Sequence, residues 1–442
     1  MRHELDRRPL VAVALGLTAG ISSHPIGLVF LLLALVLAIR PGVRLALLAA
    51  AGVGFWLAPP PTPGIDVRRD VLGEGTVASV PRIYPDSVAF AIETPGGRFL
   101  AATKGRPDIG LGDRLRFEGQ VRPPSEPSRL LYAHRGLNGR LRIDRWARLS
   151  RGPSLYAAAD AWRRSFLRFA ERTMPPDRAA VASALAFNFD TLLDEGQTEA
   201  FRRGGTLHIV SVSGAHVAMV SAVLVWILQL TPLPRGAQIG LLTLLLGFYA
   251  VTAGLGAPIV RAALMSLAFG VPYLFRREGD FPSALALAVV AVLLWQPRAI
   301  HEIGFQLSFV TVGAMGLFGG ASILRQGFVA SFASLPLVAH HFGEAPLLAV
   351  PANLLIAAEV SVATIGGMAA HFLSFVWPDG GAFLMRDLVG PCVGHIERVS
   401  RWVASPAWSV LRFPDIPVWA VAALYGGLLA LWRPRRRESN QT

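Results

Sequence analysis

Residues 207–217 hold the densest group of side chains in this sequence that could do chemistry. Polar or flexible positions interrupt a long apolar run there, namely His208, Ser211, Ser213, Gly214 and His216. A charged side chain at membrane depth costs roughly 2.5–3.5 kcal/mol, so such residues persist mainly where they face a bundle interior or a wet cavity. We therefore expect this segment to line a hydrated passage, with both histidines on roughly the same side of one helix. The alternative is hydrogen bonding between packed helices.

A second polar cluster extends from Tyr249 to Arg261. Gly254, Gly256 and Pro258 form a Gly-x-Gly-x-Pro pattern inside apolar sequence, which predicts an interrupted helix. The guanidinium just past the break could contact a passing phosphate, because its planar fork matches phosphate oxygens. It could equally pair with a structural carboxylate, for which the sequence offers Glu302, Glu344 and Glu359.

Two further polar groups lie nearer the C-terminus, and they comprise Glu302, Gln306 and Ser308, then His340, His341, Glu344 and Asn353. The spacing of His341 and Glu344 would allow both to bind one metal ion, but it reveals no third ligand, so we predict no metal site. The sequence contains no phosphate-binding glycine loop, nucleophile elbow or zinc-protease motif. We therefore expect no catalytic residues, no cofactor and no enzymatic activity.

The composition is that of a multi-span membrane protein. Of the 442 residues, 53% are hydrophobic and only 16% are charged, and the mean hydropathy is +0.47. These values exclude an ordinary soluble globule. The net charge of +13 comes almost entirely from arginine, Lys104 being the one lysine, and it suits anionic lipid or nucleic acid. Cys392 is the single cysteine, which excludes an intramolecular disulfide.

A water-soluble module is expected in residues 66–150, after a proline-rich hinge. Alternating polar and apolar runs predict five strands, at 75–80, 87–93, 98–102, 113–119 and 139–143. Five short strands with turn residues between them fit a small β-barrel of the OB type.

The basic residues of this module are candidates for binding single-stranded DNA. They are Lys104, Arg106, Arg114, Arg116, Arg140 and Arg142, with aromatic residues between them that could stack on bases, namely Phe90, Phe99, Phe117 and Tyr132. The alternative is a solvated arginine-rich surface over an ordinary aromatic core.

The sequence outside residues 66–150 predicts a membrane all-α protein, a polytopic helical bundle into which the barrel is inserted near the N-terminus. The expected order is transmembrane hairpins at 1–58, amphipathic and capping helices at 154–204, a transmembrane bundle at 206–372, an amphipathic segment at 384–404, a final span at 416–432 and a basic cytoplasmic tail at 433–442.

Two segments leave alternatives open. The basic amphipathic helix at 154–174 would lie in the membrane interface, or its apolar stripe would pack against the barrel or the bundle. The run at 346–372 would be one span or two half-helices, so the number of crossings stays undecided by sequence.

Several of these segments together resemble the ComEC-type competence proteins, the family of DNA-internalisation channels of natural transformation. The most specific stretch, 201–217, is similar to the family pattern F-x-x-x-G-x-x-H-(I/L)-(L/V)-(A/S)-(I/V)-S-G-x-H-V. Shorter matches follow in the family's order, at 258–265, 305–309, 341–343 and 351–354. The resemblance covers roughly residues 170–370, and the preceding part looks like the family's N-terminal hairpin and OB-like domain.

The resemblance implies a multi-pass protein of the bacterial inner membrane that passes one DNA strand into the cytoplasm. The positions that match as channel or bundle-core residues are His208, Ser211, Ser213, Gly214, His216, Arg261, Gln306, His341 and Asn353. The implied partners are single-stranded DNA, membrane lipids, a DNA receptor and a cytoplasmic ATPase translocase, with the pore inside one subunit or between two copies.

Many family members also carry a C-terminal metallo-β-lactamase-like domain. Its His-x-His-x-Asp-His ligand set is not found in this sequence, so we expect a separate nuclease to degrade the other strand. The rival functions are a membrane-embedded enzyme and a small-solute or lipid transporter, each built on the same histidine, serine and arginine residues.

Overall fold

The computed structural model describes residues 69–125, 135–274, 280–320 and 322–414, together with isolated positions outside these ranges. Three predicted segments therefore lie outside the continuously described residues, namely the N-terminal hairpins at 1–58, the final span at 416–432 and the tail at 433–442.

The chain divides into two compact units. The first unit comprises residues 1–58, 281–345 and 411–442, and the second comprises residues 59–280 and 346–410. The barrel belongs to the second unit, and so do residues 207–217, which we call the histidine–serine segment.

The first element of the second unit is a β-barrel. Its strands are β1 (Arg69–Val77), β2 (Arg82–Ile83), β3 (Ser87–Thr94), β4 (Gly97–Lys104), β5 (Arg114–Arg122) and β6 (Gly139–Ser150). The hydrogen-bonded order is β1-β5-β6-β4-β3, and β1 also pairs with β3, which closes the barrel. Strands β4 and β6 run parallel, whereas the other pairs are antiparallel. The predicted small barrel and its five strands are confirmed, and the strand order is that of an OB-fold.

Strict alternation along the strands builds the barrel core. On β5, Leu115 and Phe117 point inward while the arginines between them are exposed, because successive side chains of a strand point to opposite faces. Phe90 and Phe99 are also buried in the same core. These three phenylalanines therefore cannot stack on bases, and the ordinary aromatic core, the alternative left open by the sequence, is the correct one.

The helices follow the barrel in chain order. They are α1 (Ser154–Thr173), α2 (Pro176–Phe187), α3 (Glu195–Arg203), α4 (Leu207–Val210), α5 (Gly214–Gln229), α6 (Arg235–Thr252), α7 (Ala257–Leu274), α8 (Phe281–Trp295), α9 (Ile303–Ala314), α10 (Ile323–Phe342), α11 (Ala349–Leu373), α12 (Pro378–Phe383) and α13 (Gly390–Ala404). Two short strands, β7 (Glu344–Pro346) and β8 (Val410–Arg412), pair with each other near the C-terminus.

Capping interactions define both ends of α3, whereas α2 begins without a side-chain cap. Asp194 caps α3 in a capping box with Gln197, and the helix ends at Gly204. Asp177 lies in the first turn of α2, after Pro175 and a proline at the first helical position. Proline is favoured there, since its missing N–H has no partner in the first turn of a helix.

Helix α1 joins the barrel to the helices of the second unit. Its Phe166 is fully buried and packs edge-on against Phe187 with ring centroids 5.0 Å apart. On another side, Arg163 donates to the carbonyl oxygen of Pro81 (3.0 Å) and Arg164 donates to that of Ile109 (2.9 Å). Phe166 of the apolar stripe therefore packs against protein, and Arg163 and Arg164 bind barrel loops.

Two helices are long and apolar enough to cross a membrane, α6 and α11, among the residues that the structure describes. Helices α5, α8 and α9, with part of α7, form shorter apolar segments. The predicted run at 346–372 is one continuous helix, so the alternative of two half-helices is wrong.

Candidate functional site

The histidine–serine segment is a break between two helices. Helix α4 ends at Val210, Ser211 to Ser213 are extended, and α5 starts at Gly214. The expectation that His208 and His216 share one helix is therefore wrong. The physical reason is the cap, because Ser213 satisfies backbone groups at the start of a new helix.

Ser213 and His216 form the capping box of α5. The backbone N–H of Ser213 donates to Nδ1 of His216 at 3.1 Å, and the hydroxyl of Ser213 lies 3.0 Å from the same nitrogen. Because Nδ1 accepts from the backbone, the proton of the neutral imidazole lies on Nε2. His216 is only 1% exposed, so this imidazole orders the helix start from inside the protein.

Arg261 of α7 lies against the same helix start. A Cβ atom built on Gly214 would collide with its Nη2, so only glycine leaves room for this guanidinium. Arg261 is 3% exposed, and its Nη1 also lies 3.7 Å from Sδ of Met265. The structure thus brings Arg261, from the second predicted cluster, against Gly214 of the first.

Asn188 is a site residue that the sequence analysis missed. It ends α2 in the left-handed conformation (φ 61°), and its Oδ1 accepts the backbone N–H of Val212 at 3.1 Å. Val212 is buried, so this N–H would otherwise lack an acceptor. Asparagine at a helix end is a recognised signal for this conformation, but the partner 24 residues away has no signal in sequence.

The interruption that the sequence predicts at Gly254, Gly256 and Pro258 is confirmed between α6 and α7. Gly254 has φ 109° and Leu255 has φ 54°, a conformation that a leucine rarely adopts. The side-chain Nδ2 of Asn188 lies 3.8 Å from the position that a Cβ on Gly254 would occupy. Because Asn188 also binds Val212, the two interruptions are neighbours. Tyr249, which was expected in this cluster, donates from its hydroxyl to the carbonyl oxygen of Ala186 at 3.3 Å.

Exposure divides the predicted passage residues into two sets. His208 is exposed, and Ser211, Ser213 and Gly214 are half-buried, so these four offer surface to a solute. His216 and Arg261 are buried, so they position the helix start and present no open surface. The prediction that both histidines face a hydrated passage can therefore apply only to His208.

The polar residues of the first unit form a separate cluster. Nε2 of His341 on α10 donates to Oε1 of Gln306 on α9 at 2.9 Å, and Nε2 of Gln306 donates to the carbonyl oxygen of Ile300 at 2.9 Å. The two predicted residues thus contact each other. Asn353 lies in the first turns of α11, in the second unit, and is half-buried with a buried Oδ1.

The hypothetical metal pair of His341 and Glu344 has other partners. His341 is bonded to Gln306, and Glu344 lies 3.4 Å from Nε of Arg412. No group of three or more histidine, cysteine or acidic residues is placed to bind a metal ion in the part of the chain that the structure describes. The other carboxylates offered to Arg261 have contacts of their own, Glu359 with His395 (3.0 Å) and Glu302 with Gln296 (3.1 Å).

Four of the six candidate DNA-binding residues share the outer surface of β5 and β6. Arg114 and Arg116 are exposed on β5, and Arg140 and Arg142 are exposed on β6. Glu74 neutralises two of them, since its carboxylate lies 2.8 Å from Arg116 and 3.3 Å from Arg114. The hydrogen bond from Arg116 lowers the pKa of Glu74 and keeps this carboxylate charged.

The other two candidates lie apart from this surface, which we call the arginine face. Lys104 ends β4, and Arg106 follows it and pairs with Glu171 of α1 at 3.2 Å. On the arginine face itself, Arg142 lies 3.0 Å from Asp144, and Arg140 donates to the hydroxyl of Tyr132 at 2.9 Å. Tyr132 is buried, so it supports an arginine and offers no ring for stacking.

Comparison with known proteins places these features in a family. The family model described as "Competence protein" matches residues 185–438, which include both helix interruptions and the Gln306–His341 cluster. The chain is 27% identical over 222 residues to "ComE operon protein 3" of Bacillus subtilis (strain 168), a match that covers 48% of this chain and 28% of that protein. It is 30% identical over 280 residues to "Competence protein ComA" of Neisseria gonorrhoeae, covering 58% of this chain and 39% of that protein.

The chain thus spans well under half the length of these two curated relatives. The family match, by contrast, includes more than half of the present chain and starts within α2. The chain therefore belongs to the Competence protein family.

Proposed function

We propose that this protein lies in the bacterial inner membrane with several crossings and passes single-stranded DNA into the cytoplasm during natural transformation. Its membership of the Competence protein family carries the proposal, since the matched region contains both helix interruptions. The two named relatives support a role in competence, and transport of one strand is our inference for this chain.

A membrane location is supported by the large apolar side chains on the outside of the helices. Among them, Trp226, Leu230 and Leu244 on or next to α5 and α6 are 60–69% exposed. Exposed apolar patches of this kind are rare on soluble monomers, whereas lipid tails cover them without cost. The length and apolar composition of α6 and α11 support the proposed crossings, among the residues that the structure describes.

The two interruptions supply polar groups inside this apolar region. Non-helical backbone at membrane depth is tolerated only where it is buried in protein or lines a water-filled cavity. Here the extended residues Ser211 to Ser213 are partly accessible, and His208 beside them is exposed. We infer that this accessible edge contacts the DNA strand, while His216 and Arg261 hold the edge in place from behind.

The barrel would receive the strand on its arginine face. Phosphate contacts supply most of the affinity for nucleic acid without regard to sequence, and Arg116, Arg140 and Arg142 are placed for such contacts. A DNA receptor before it, a cytoplasmic ATPase translocase after it and a separate nuclease would complete the route.

The test of transport is uptake of labelled DNA by a naturally competent host. Deletion of the gene should leave surface-bound DNA unchanged and abolish nuclease-resistant DNA in the cytosol, and the wild-type gene should restore it. Unchanged internalisation in the deletion strain would contradict the proposal. Loss of surface binding as well would indicate a receptor and not a conduit.

The test of the arginine face uses the full chain in detergent and a fluorescent single-stranded oligonucleotide. Arg142→Gln should weaken binding and reduce the slope of log affinity against log salt by about 0.7. Glu74→Gln should strengthen binding, because it removes the carboxylate that neutralises Arg114 and Arg116. Affinity that is the same in all three proteins would place the DNA elsewhere.

A further inference from the structure

The C-terminal end of α11 carries an exposed aromatic turn. Large apolar side chains there are between 57% and 83% exposed, namely Phe372, Phe375, Val376, Trp377 and Phe383. The patch is continuous with α1, because Trp162 stacks on Phe375 at 5.7 Å and contacts Phe372 at 6.1 Å between ring centroids. We call these five residues together with Trp162 the aromatic platform.

Helix α1 packs on the end of α11 through side chains that surround His371. Trp162 and Phe169 contact this imidazole with ring centroids 4.7 Å and 5.6 Å away, and the hydroxyl of Ser165 lies 3.1 Å from its Nε2. These three residues are spaced as i, i+3 and i+7, so they lie on one face of α1. The exposed side chains that border this face of α1 are therefore close to the end of α11.

Basic residues border the same side of α1. Arg168 and Arg172 are exposed, and Arg172 is seven residues from Ser165, which bonds His371 at 3.1 Å. Seven residues make nearly two helical turns, so Arg172 projects beside the stripe that faces α11. Arg386, on the segment after α12, is 65% exposed and pairs with the neighbouring Asp387 at 2.9 Å, so Arg168 and Arg172 supply the net positive charge. Exposed aromatic rings with arginines around them are the combination that occupies the boundary between lipid tails and anionic headgroups.

We propose that the aromatic platform, with Arg168, Arg172 and Arg386, lies in the headgroup layer of a bilayer that contains anionic lipid. The inference rests on the proposed membrane location, and it adds which part of the protein lies at the membrane surface. Since α1 also binds the barrel through Arg163, Arg164 and Glu171, the barrel would then rest on the membrane surface on the side where α11 ends.

Depth measurement in reconstituted nanodiscs tests the proposal, and the single native cysteine makes it simple. In a Cys392→Ser background, Val376→Cys is labelled with an environment-sensitive fluorophore. We expect quenching by lipids with a nitroxide near the headgroup to exceed quenching by lipids with the nitroxide deep in the tail by about threefold. The matched control is Gly96→Cys, in the exposed turn before β4, at the opposite end of that strand from Arg106. It should respond to aqueous iodide only.

The outcomes separate clearly. Quenching of the Val376 probe by iodide and not by lipid nitroxides would overturn the proposal, and so would strongest quenching by the deep nitroxide. For the lipid charge, the double variant Arg168→Gln/Arg172→Gln should lose the rise in thermal midpoint that the wild type shows on changing from neutral to anionic nanodiscs. A wild type without that rise would overturn the anionic part. No DNA is present in these measurements, so a failure of the transport proposal leaves them interpretable.

Discussion

The guanidinium of Arg261 occupies the space beside Gly214 that any other side chain would need. This contact joins α7 to the first residue of α5 and depends on the absence of a single Cβ atom. Gly214→Ala must displace either the arginine or the helix start, although alanine normally favours a helix over glycine by about 0.5–1 kcal/mol.

The first prediction concerns this contact. Gly214→Ala should lower the thermal midpoint of the full chain in detergent, since core overpacking costs about 1–3 kcal/mol. It should also reduce DNA uptake, because the helix start that carries Ser213 would shift. Gly247→Ala in α6 is the matched control, because nothing lies within 4 Å of a Cβ at that position. The explanation would be wrong if both substitutions behaved alike.

The second prediction concerns the capping box of α5. Ser213→Ala removes the side-chain acceptor at the helix start and should destabilise the protein by about 1 kcal/mol, measured as a lower unfolding midpoint. Ser213→Thr keeps an acceptor hydroxyl and should retain most of that stability. Equal midpoints for the alanine variant and the wild type would show that His216 alone holds the helix start.

The third prediction concerns the bond between Gln306 and His341. Each alanine substitution should destabilise the first unit, and Gln306→Ala should cost more, because Gln306 also donates to Ile300. A double-mutant cycle should give a coupling of about 1 kcal/mol, the net value of a typical hydrogen bond. Strict additivity of the two losses would mean that the bond contributes nothing.

The fourth prediction concerns pH and Asp190, which lies in the turn after α2, near Arg82 of β2. Burial raises the pKa of its carboxyl, and Arg82 nearby offsets only part of the effect. A raised pKa adds stability below the ordinary value of 3.8, and this stability is lost as pH rises through the folded-state value. Asp190→Asn should therefore raise the unfolding midpoint at pH 8 more than at pH 3, where the carboxyl is protonated in both the folded and the unfolded state. A gain that is the same at both values would contradict this assignment.

Neighbouring Arg163 provides a check on the same region. Burial lowers the pKa of its guanidinium to about 10, which leaves it charged at neutral pH, and it stacks on Phe189 with Cζ 4.3 Å from the ring centroid. Asp190→Asn should leave this stack intact, so the pH effect can be attributed to the carboxyl. Arg163→Met, by contrast, should destabilise at every pH because it also removes the bond to Pro81.

The sequence predicts the barrel strands and one helix interruption because both follow local rules. Alternation of polar and apolar residues predicted the strands around Phe117. The Gly-x-Gly pattern likewise predicted the break at Gly254. Each of these signals acts over a few neighbouring residues, so no knowledge of the tertiary structure is needed.

The parts that sequence missed depend on contacts between distant residues. Nothing near Asn188 indicates that it binds Val212, and nothing near His216 indicates that it is buried while His208 is not. The grouping of Arg116 with Glu74 depends on the register of β1 and β5. Pairing and burial of this kind are decided by packing, and patterns along the chain carry little information about them.

The closing strand of the barrel has a consequence for how the protein is made. Strand β6 is hydrogen-bonded to both β5 and β4, and only three residues separate its end from the start of α1. A nascent chain that has emerged only as far as residue 138 still has two unpaired strand edges. The barrel can therefore close only after β6 has been synthesised, directly before the first helix. A ribosome that stalled just before β6 would leave an aggregation-prone intermediate exposed.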